Sequence, residues 1–272
     1  MPRLNNPRRA VVLAGMGAAC AVAHAQEAPL SDAATQPAKG KVTFRESLRF
    51  TRYEFEGRDI DQWVANTRLT LGLSGKLSLS ADIPVVLEDD PLDQREGLGD
   101  VRLGLKWRFW QHDTGAIETR RLAMIGGLRV PTGSDGVSAE GFDPFVGVVY
   151  TMVHGRHGLN AAARYQFSTD GMDNPLGPGM GGDDVLSLET SYLFRVAPEA
   201  YGPDTHGSWY AVAESFVDWE TNGDTSWRLA PGLLYEARRW AAEVSVVLPL
   251  AEDVRERAET DFGLAAGVRV LF

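Results

Sequence analysis

Cysteine is almost absent: Cys20 is the only one in 272 residues. A single thiol excludes an internal disulfide framework and a Cys-rich zinc module. Positive charge is also in deficit, with 27 Lys+Arg against 37 Asp+Glu and a net charge of −10. A nucleic-acid binder would need a basic face, so that class is set aside. Long apolar runs are missing too. The longest stretch without charged or strongly polar residues is Ala10 to Ala23, 14 residues, short of the ~20 a spanning helix requires. Yet 44% of the residues are apolar and mean hydropathy is −0.19, which excludes a disordered chain. Soluble domains remain, or a membrane protein that hydropathy overlooks, a β-barrel.

The first 25 residues read as an export signal. Arg3, Arg8 and Arg9 form a positive start, Val11 to Val22 an apolar core, and Ala23-His24-Ala25 a small-x-small cleavage site. Cys20 after Gly17-Ala18-Ala19 offers a lipoprotein alternative, but the apolar residue usual three places before a lipidated cysteine is missing. Cleavage after Ala25 removes three arginines and no acidic residue, taking the charge from −10 to −13. The mature chain has no cysteine, which suits an oxidising compartment. Residues 26–40 are rich in Ala, Pro, Ser and Asp without periodicity and read as a flexible lead-in. Residues 41–272 form the remaining unit.

From residue 41 the period is two. Val101, Leu103, Leu105, Trp107 and Phe109 alternate with Arg102, Gly104, Lys106 and Arg108. At the end of the chain, Phe262, Leu264, Ala266, Val268, Val270 and Phe272 oppose Asp261, Gly263, Ala265, Gly267 and Arg269. Twelve such segments are predicted: 41–54, 61–73, 76–87, 99–110, 120–131, 143–153, 157–167, 183–195, 208–219, 224–237, 239–250 and 259–272. Soluble strands average about 5–6 residues, whereas a tilted spanning strand needs about 9–11. The expected fold is therefore all-β, a transmembrane antiparallel up-and-down barrel of about 12 strands with periplasmic termini.

The connections point the same way. Those after odd-numbered segments are mostly longer and more acidic: Glu88, Asp89, Asp90, Asp93 and Glu96 crowd one of them. These face outward, and the shorter set faces the periplasm. The Gly/Pro-rich 171–182 reads as a mobile loop, a lid or an inward fold. Trp63, Trp107, Trp110, Trp209, Trp219, Trp227 and Trp240 fall near segment ends, as interfacial girdles do. The terminal Phe272 resembles the signal read by the outer-membrane barrel assembly machinery.

Following the pleat, one face meets lipid and the other the lumen. The lumen-lining set, the expected solute path, starts basic: Arg45, Arg49, Arg68, Arg102, Lys106, Arg108, Arg129 and Arg164. It turns acidic in Glu189, Glu214, Asp218, Glu236, Glu243 and Asp261, with Arg195, Arg228 and Arg269 intermixed. Confined charges are expensive unpaired, so pairing across the lumen is expected. His112, His154, His157 and His206 lie in predicted periplasmic turns, and no serine shares a strand face with a histidine. The sequence therefore points to no enzyme, no catalytic residue, no metal site and no cofactor.

Two stretches carry a family resemblance. Gly97-Leu98-Gly99-Asp100-Val101-Arg102-Leu103-Gly104-Leu105-Lys106-Trp107-Arg108 resembles the G-x-G-D-x-x-L-G-x-K-[YW]-R signature of the MetA-pathway of phenol degradation family. Leu128-Arg129-Val130-Pro131-Thr132-Gly133 is similar to that family's strand ending in P-T-G. The motif positions are Gly97, Gly99, Asp100, Gly104, Lys106, Pro131, Thr132 and Gly133. The resemblance implies a bacterial outer-membrane barrel that transports hydrophobic or aromatic compounds. It transfers no catalytic residue.

The expected function is an outer-membrane channel or transporter for small solutes. The alternative is a non-transporting structural or adhesion-type barrel with a plugged lumen. Expected partners are outer-membrane lipid and lipopolysaccharide, the assembly machinery during biogenesis, and an unidentified small-molecule solute.

Overall fold

The computed structural model describes residues 27–28, 30–115, 117–169, 174, 176–202 and 204–272. The export signal, with its cleavage after Ala25, lies outside the described residues. Alternating residues from 42 onward form thirteen strands: β1 (Val42–Phe55), β2 (Arg58–Gly72), β3 (Leu77–Asp90), β4 (Asp93–Leu98), β5 (Val101–Asp113), β6 (Thr119–Val130) and β7 (Asp143–His154) come first. They continue as β8 (His157–Gln166), β9 (Val185–Ala197), β10 (Gly207–Glu220), β11 (Thr225–Ala237), β12 (Trp240–Asp253) and β13 (Glu259–Leu271). Each long strand pairs antiparallel with its neighbours, and β1 pairs with both β2 and β13. The sheet thus closes into a twelve-strand barrel. The thirteenth strand, β4, among the described strands pairs with β3 alone and extends it as a hairpin above the rim.

Two predicted connections are shorter than expected. The first outward one is a two-residue turn, Glu56-Gly57, with φ of 51° and 75°. That left-handed pair makes the hairpin turn that matches strand twist, so β2 begins at Arg58 rather than 61. The acidic stretch 88–98 becomes the β3–β4 hairpin because its residues keep pairing, Asp89 with Gln94 and Leu87 with Glu96.

Period two separates two environments. Leu48, Leu103, Leu105, Val146, Leu188, Val244, Val246 and Leu264 are exposed on the outside, an apolar band fit for lipid. All seven tryptophans are exposed there too. Trp209, Tyr235 and Trp240 form a chain of ring contacts at the periplasmic end, with centroids 4.9 and 5.2 Å apart. Trp63, Phe50 and Phe262 form another at the outer end, 4.8 and 5.6 Å apart. Phe272 completes the seam, its amide bonded to Val42 O at 2.9 Å. The buried residues are mostly on the inside and many are polar, among them Glu214, Asp143, Thr151, Asn160 and Ser191.

Arginine at position 246, in the middle of the apolar band, should cost about 2–4 kcal/mol, the usual penalty near the bilayer midplane. Equilibrium folding of Val246→Arg into lipid vesicles measures it.

Candidate functional site

The lumen is occupied by a segment of the chain that precedes β1. Residues 27–28 and 30–38, expected to be a flexible lead-in, enter the barrel from the periplasmic end and pack against the wall. The reading as a lead-in is corrected on this point, for a physical reason. Ala28, Ser31, Ala33, Ala34 and Thr35 are small enough to be buried in a narrow bore. Ala28 seats among Leu193, Tyr210, Val212, Leu234 and Ala241. Ala34 seats among Ala123, Ile125, Val149 and Ala162.

The backbone of this segment is held by both signs of charge. Its amides face acidic side chains: Ser31 N donates to Glu214 Oε1 at 2.8 Å, Leu30 N to the same carboxylate at 3.1 Å, and Asp32 N to Glu189 at 3.1 Å. Its carbonyls face basic ones: Lys106 Nζ donates to Ala33 O at 2.6 Å and Arg45 Nη2 to Ala28 O at 3.0 Å. Asp32 bonds Arg68 at 3.2 Å, Glu27 bonds Arg269 at 2.5 Å, and Ala34 N donates to Thr151 at 2.8 Å. Arg68 on β2 and Glu189 on β9 stand opposite each other in the ring, so Asp32 spans the bore. Between segment and wall a cavity of about 140 Å³ remains, lined by residues including Glu27, Gln36, Arg121, Glu236 and Arg269.

The wall's own ion pairs run along it rather than across it, contrary to the sequence expectation. Arg68 pairs with Asp82 at 2.5 Å, Arg164 with Glu189 at 2.7 Å, and Arg269 with Glu236 at 3.0 Å. Arg129 pairs with Asp143 and Arg228 with Asp218. Arg45 reaches Glu243 at 2.5 Å over the intervening β13. Inward side chains on adjacent strands are within direct reach, while the segment fills the space to the far wall.

Of the predicted luminal residues, Arg45, Arg68, Lys106, Arg129, Arg164, Glu189, Glu214, Glu243 and Arg269 join this network. Arg49 faces inward opposite Val64 and Ala265 and has no bonded partner among the described residues. Arg102 faces inward as well. Arg108 sits at the periplasmic end and donates to Gly75 O at 2.5 Å. Asp261 departs from the expectation. The register slips between Arg52 and Tyr53, which pair with Phe262 and Thr260, so Asp261 is the extra residue of a bulge and is exposed. Sequence reading missed Glu27, Asp32, Asp82 and Asp143. A run of small residues carrying two isolated carboxylates was the available signal for the first two.

The outer mouth is narrowed by the inward fold of the β8–β9 loop. Gly179 O accepts from Gln166 at 3.2 Å and from Arg129, and Gly179 N donates to Glu220 at 3.1 Å. Leu176 packs with Tyr53, Ile60 and Ala258.

The signature residues form a clasp around the rim. Buried Asp100 accepts from Gly133 N at 3.0 Å, Ser138 Oγ at 2.6 Å and Ala139 N at 2.8 Å. Val101 N donates to Thr132 Oγ1 at 3.0 Å, just past Pro131, where β6 has ended. Gly97 backs onto Ser134, whose Oγ would lie 2.3 Å from a Cβ there, and Gly99 abuts Pro84. Gly104 leaves room for Ser80 and Phe145. Lys106 anchors the luminal segment.

This linked pair of motifs falls within residues 31–211, which match the family model "Putative MetA-pathway of phenol degradation". The chain belongs to that family. Among solved structures, this family member resembles an outer membrane channel from Pseudomonas putida F1. Identity is 13%, TM-score 0.64, and the match covers 90% of this chain and 100% of the other. It also resembles the NanC porin, at 11% identity and TM-score 0.49, over 84% of this chain and 98% of the porin. The β domain of the Bordetella autotransporter BrkA follows at 12% and 0.49, covering 86% of this chain and all of that one. These likenesses are likenesses of fold. No curated protein sequence matches the chain. Within the family barrel, His154 bonds Glu118 at 3.2 Å and His157 bonds Tyr192 at 2.6 Å, both at the periplasmic end.

Asp100→Ala strands three donors and should cost about 1–3 kcal/mol locally. Limited proteolysis should then cut faster within 131–142 while the barrel wall stays intact. A second outcome concerns pH. Burial pushes the Glu27 carboxyl up, but Arg269, Lys106, the Thr35 hydroxyl and Arg45 outweigh it and hold it at about 2. Burial likewise opposes Asp32, and Arg68, Lys106, Arg164 and Arg45 hold it well below the usual carboxylate range. Both groups favour the docked segment when ionised. Their contribution to docking should be full above their ordinary values of 4.5 and 3.8 and fade as pH falls toward about 2. Cross-linking yield between cysteines placed in the segment and the wall, measured from pH 7 downward, checks it.

Proposed function

We propose that the protein is an outer-membrane channel for small solutes whose resting state is closed by its own N-terminal segment. One observation carries the reading. The occluding piece is a peptide outside the sheet, held only by hydrogen bonds, ion pairs and two small apolar seats. It can leave the lumen without breaking any strand pairing, and what it uncovers is a polar, charged bore. A structural barrel has no need of such a bore, since an apolar filling would hold its wall together more cheaply. The solute path runs past Arg45, Arg49, Arg68, Arg102, Lys106, Arg129 and Arg164 on one side. Glu189, Glu214, Glu243 and Arg269 stand on the other. The solute we have in mind is a small hydrophobic or aromatic compound, a reading supported by the family description, which names a pathway of phenol degradation. Phe272, at the β1–β13 seam, serves as the assembly signal.

Deletion of residues 27–38 should raise conductance in planar bilayers well above that of the full mature chain, with heat-modifiable gel migration retained. If neither form conducts nor passes solute into liposomes, the channel reading falls and the plugged structural barrel takes its place.

A further inference from the structure

Four guanidinium groups share one stretch of the lumen: Arg129 stands opposite Arg102 in the β5–β6 ladder, and Arg68 and Arg164 are close enough to act on Arg102 as well. Three have carboxylate partners, namely Asp82 and Asp32, Asp143, and Glu189. Arg102 has none among the described residues. Its Nη2 donates to the neutral Gln166 Oε1 at 3.2 Å, and its guanidinium lies over the Phe145 ring at 5.5 Å. Asp82 faces it across the β3–β5 ladder but is bonded to Arg68 at 2.5 Å. Arg102 is half-buried on the inward face of β5, and no bond to its Nε or Nη1 occurs among the described residues.

The position is built on both sides. Gln166 is fixed from above by Gly179 O of the infolded loop, which also takes Arg129. Arg68 and Glu189 (the partner of Arg164) are fixed to Asp32 of the occluding segment. Phe145 lies flat against the wall because residue 127 is glycine. A Cβ there would come within 2.6 Å of the ring. The result is a charged fork beside an apolar floor, between the two closures of the bore.

An unneutralised guanidinium among three others is costly in a confined space. A carboxylate relieves that cost and matches the guanidinium fork with two parallel hydrogen bonds. We propose that Arg102, backed by Arg68, Arg129 and Arg164, is a luminal binding site for the carboxylate of a small organic solute. The site deepens the channel reading and rests on it for transport, although binding itself requires no passage.

The test uses the purified mature barrel and titration calorimetry with benzoate and benzamide, a flat pair that differs in charge. Benzoate should bind saturably, and benzamide roughly tenfold more weakly or not at all. Arg102→Gln should abolish the difference, and Arg102→Lys, which keeps the charge but loses the fork, should weaken benzoate several-fold. Since Arg102 has no carboxylate partner to strand, the Gln variant should melt no lower than the parent, so lost binding cannot be assigned to unfolding. Equal binding of the two probes, unchanged binding in Arg102→Gln, or displacement of benzoate by stoichiometric chloride would each overturn the proposal. Benzoate binding that depends on Arg102 in a barrel that never conducts would keep the site and sink the channel.

Discussion

The lumen depends on one electrostatic arrangement: a basic wall and an acidic wall joined by a stretch of peptide. A peptide carries donors and acceptors on alternate atoms, so it can satisfy both walls at once. Here the amides of residues 30–32 meet Glu214 and Glu189, and the carbonyls of Ala28 and Ala33 meet Arg45 and Lys106. Asp32 adds negative charge on the basic side, and Glu27 meets Arg269 on the other. The wall's internal ion pairs remove most of the remaining imbalance, which leaves the position of the segment to be decided by a handful of contacts. Such a device is stable when in place and separable when lost, because none of its bonds belongs to the sheet.

The signature stretch serves three ends at once. Asp100 gathers the 131–142 loop through three donors, and Thr132 returns a bond to Val101. Arg102 lies over the Phe145 ring, for which Gly127 of β6 leaves the room, and Gly104 makes way for the Ser80 hydroxyl. Two residues further, Lys106 reaches the occluding segment. Rim and closure are therefore tied to one strand and the turn before it. Its long-range bonds to residues 33 and 133 tie it to the luminal segment and to the rim loop.

Much of this was legible before any coordinates. Period two over 11–14 residues marks both faces of a spanning strand, and eleven of the twelve predicted segments begin within two residues of the observed strand. The exception, β2, begins early because Glu56 and Gly57 turn tightly and Arg58 can already pair with Phe55. Asp261 was placed inward because alternation has no way to mark a bulge; one inserted residue reverses the face on that side of it. The cross-lumen ion pairs failed for a different reason. Charge signs along a sequence say which residues want partners but not that Asp82 and Asp143 stand one strand away from Arg68 and Arg129. The segment 27–38 was the largest omission. It has no periodicity because its partners lie on many different strands, up to 242 residues distant in the case of Arg269.

The sequence by itself determined the barrel, its strand count and its two faces, since these follow from local alternation and strand length. The tertiary structure decided whether the bore is open. Occlusion arises only when the closed wall brings β1, β2, β5, β7, β9, β10 and β13 around one short peptide, and no local pattern encodes a set of contacts made simultaneously from opposite sides. It decided as well that Arg102, one of many luminal arginines in the sequence, is the one of the four clustered there without a bonded carboxylate among the described residues.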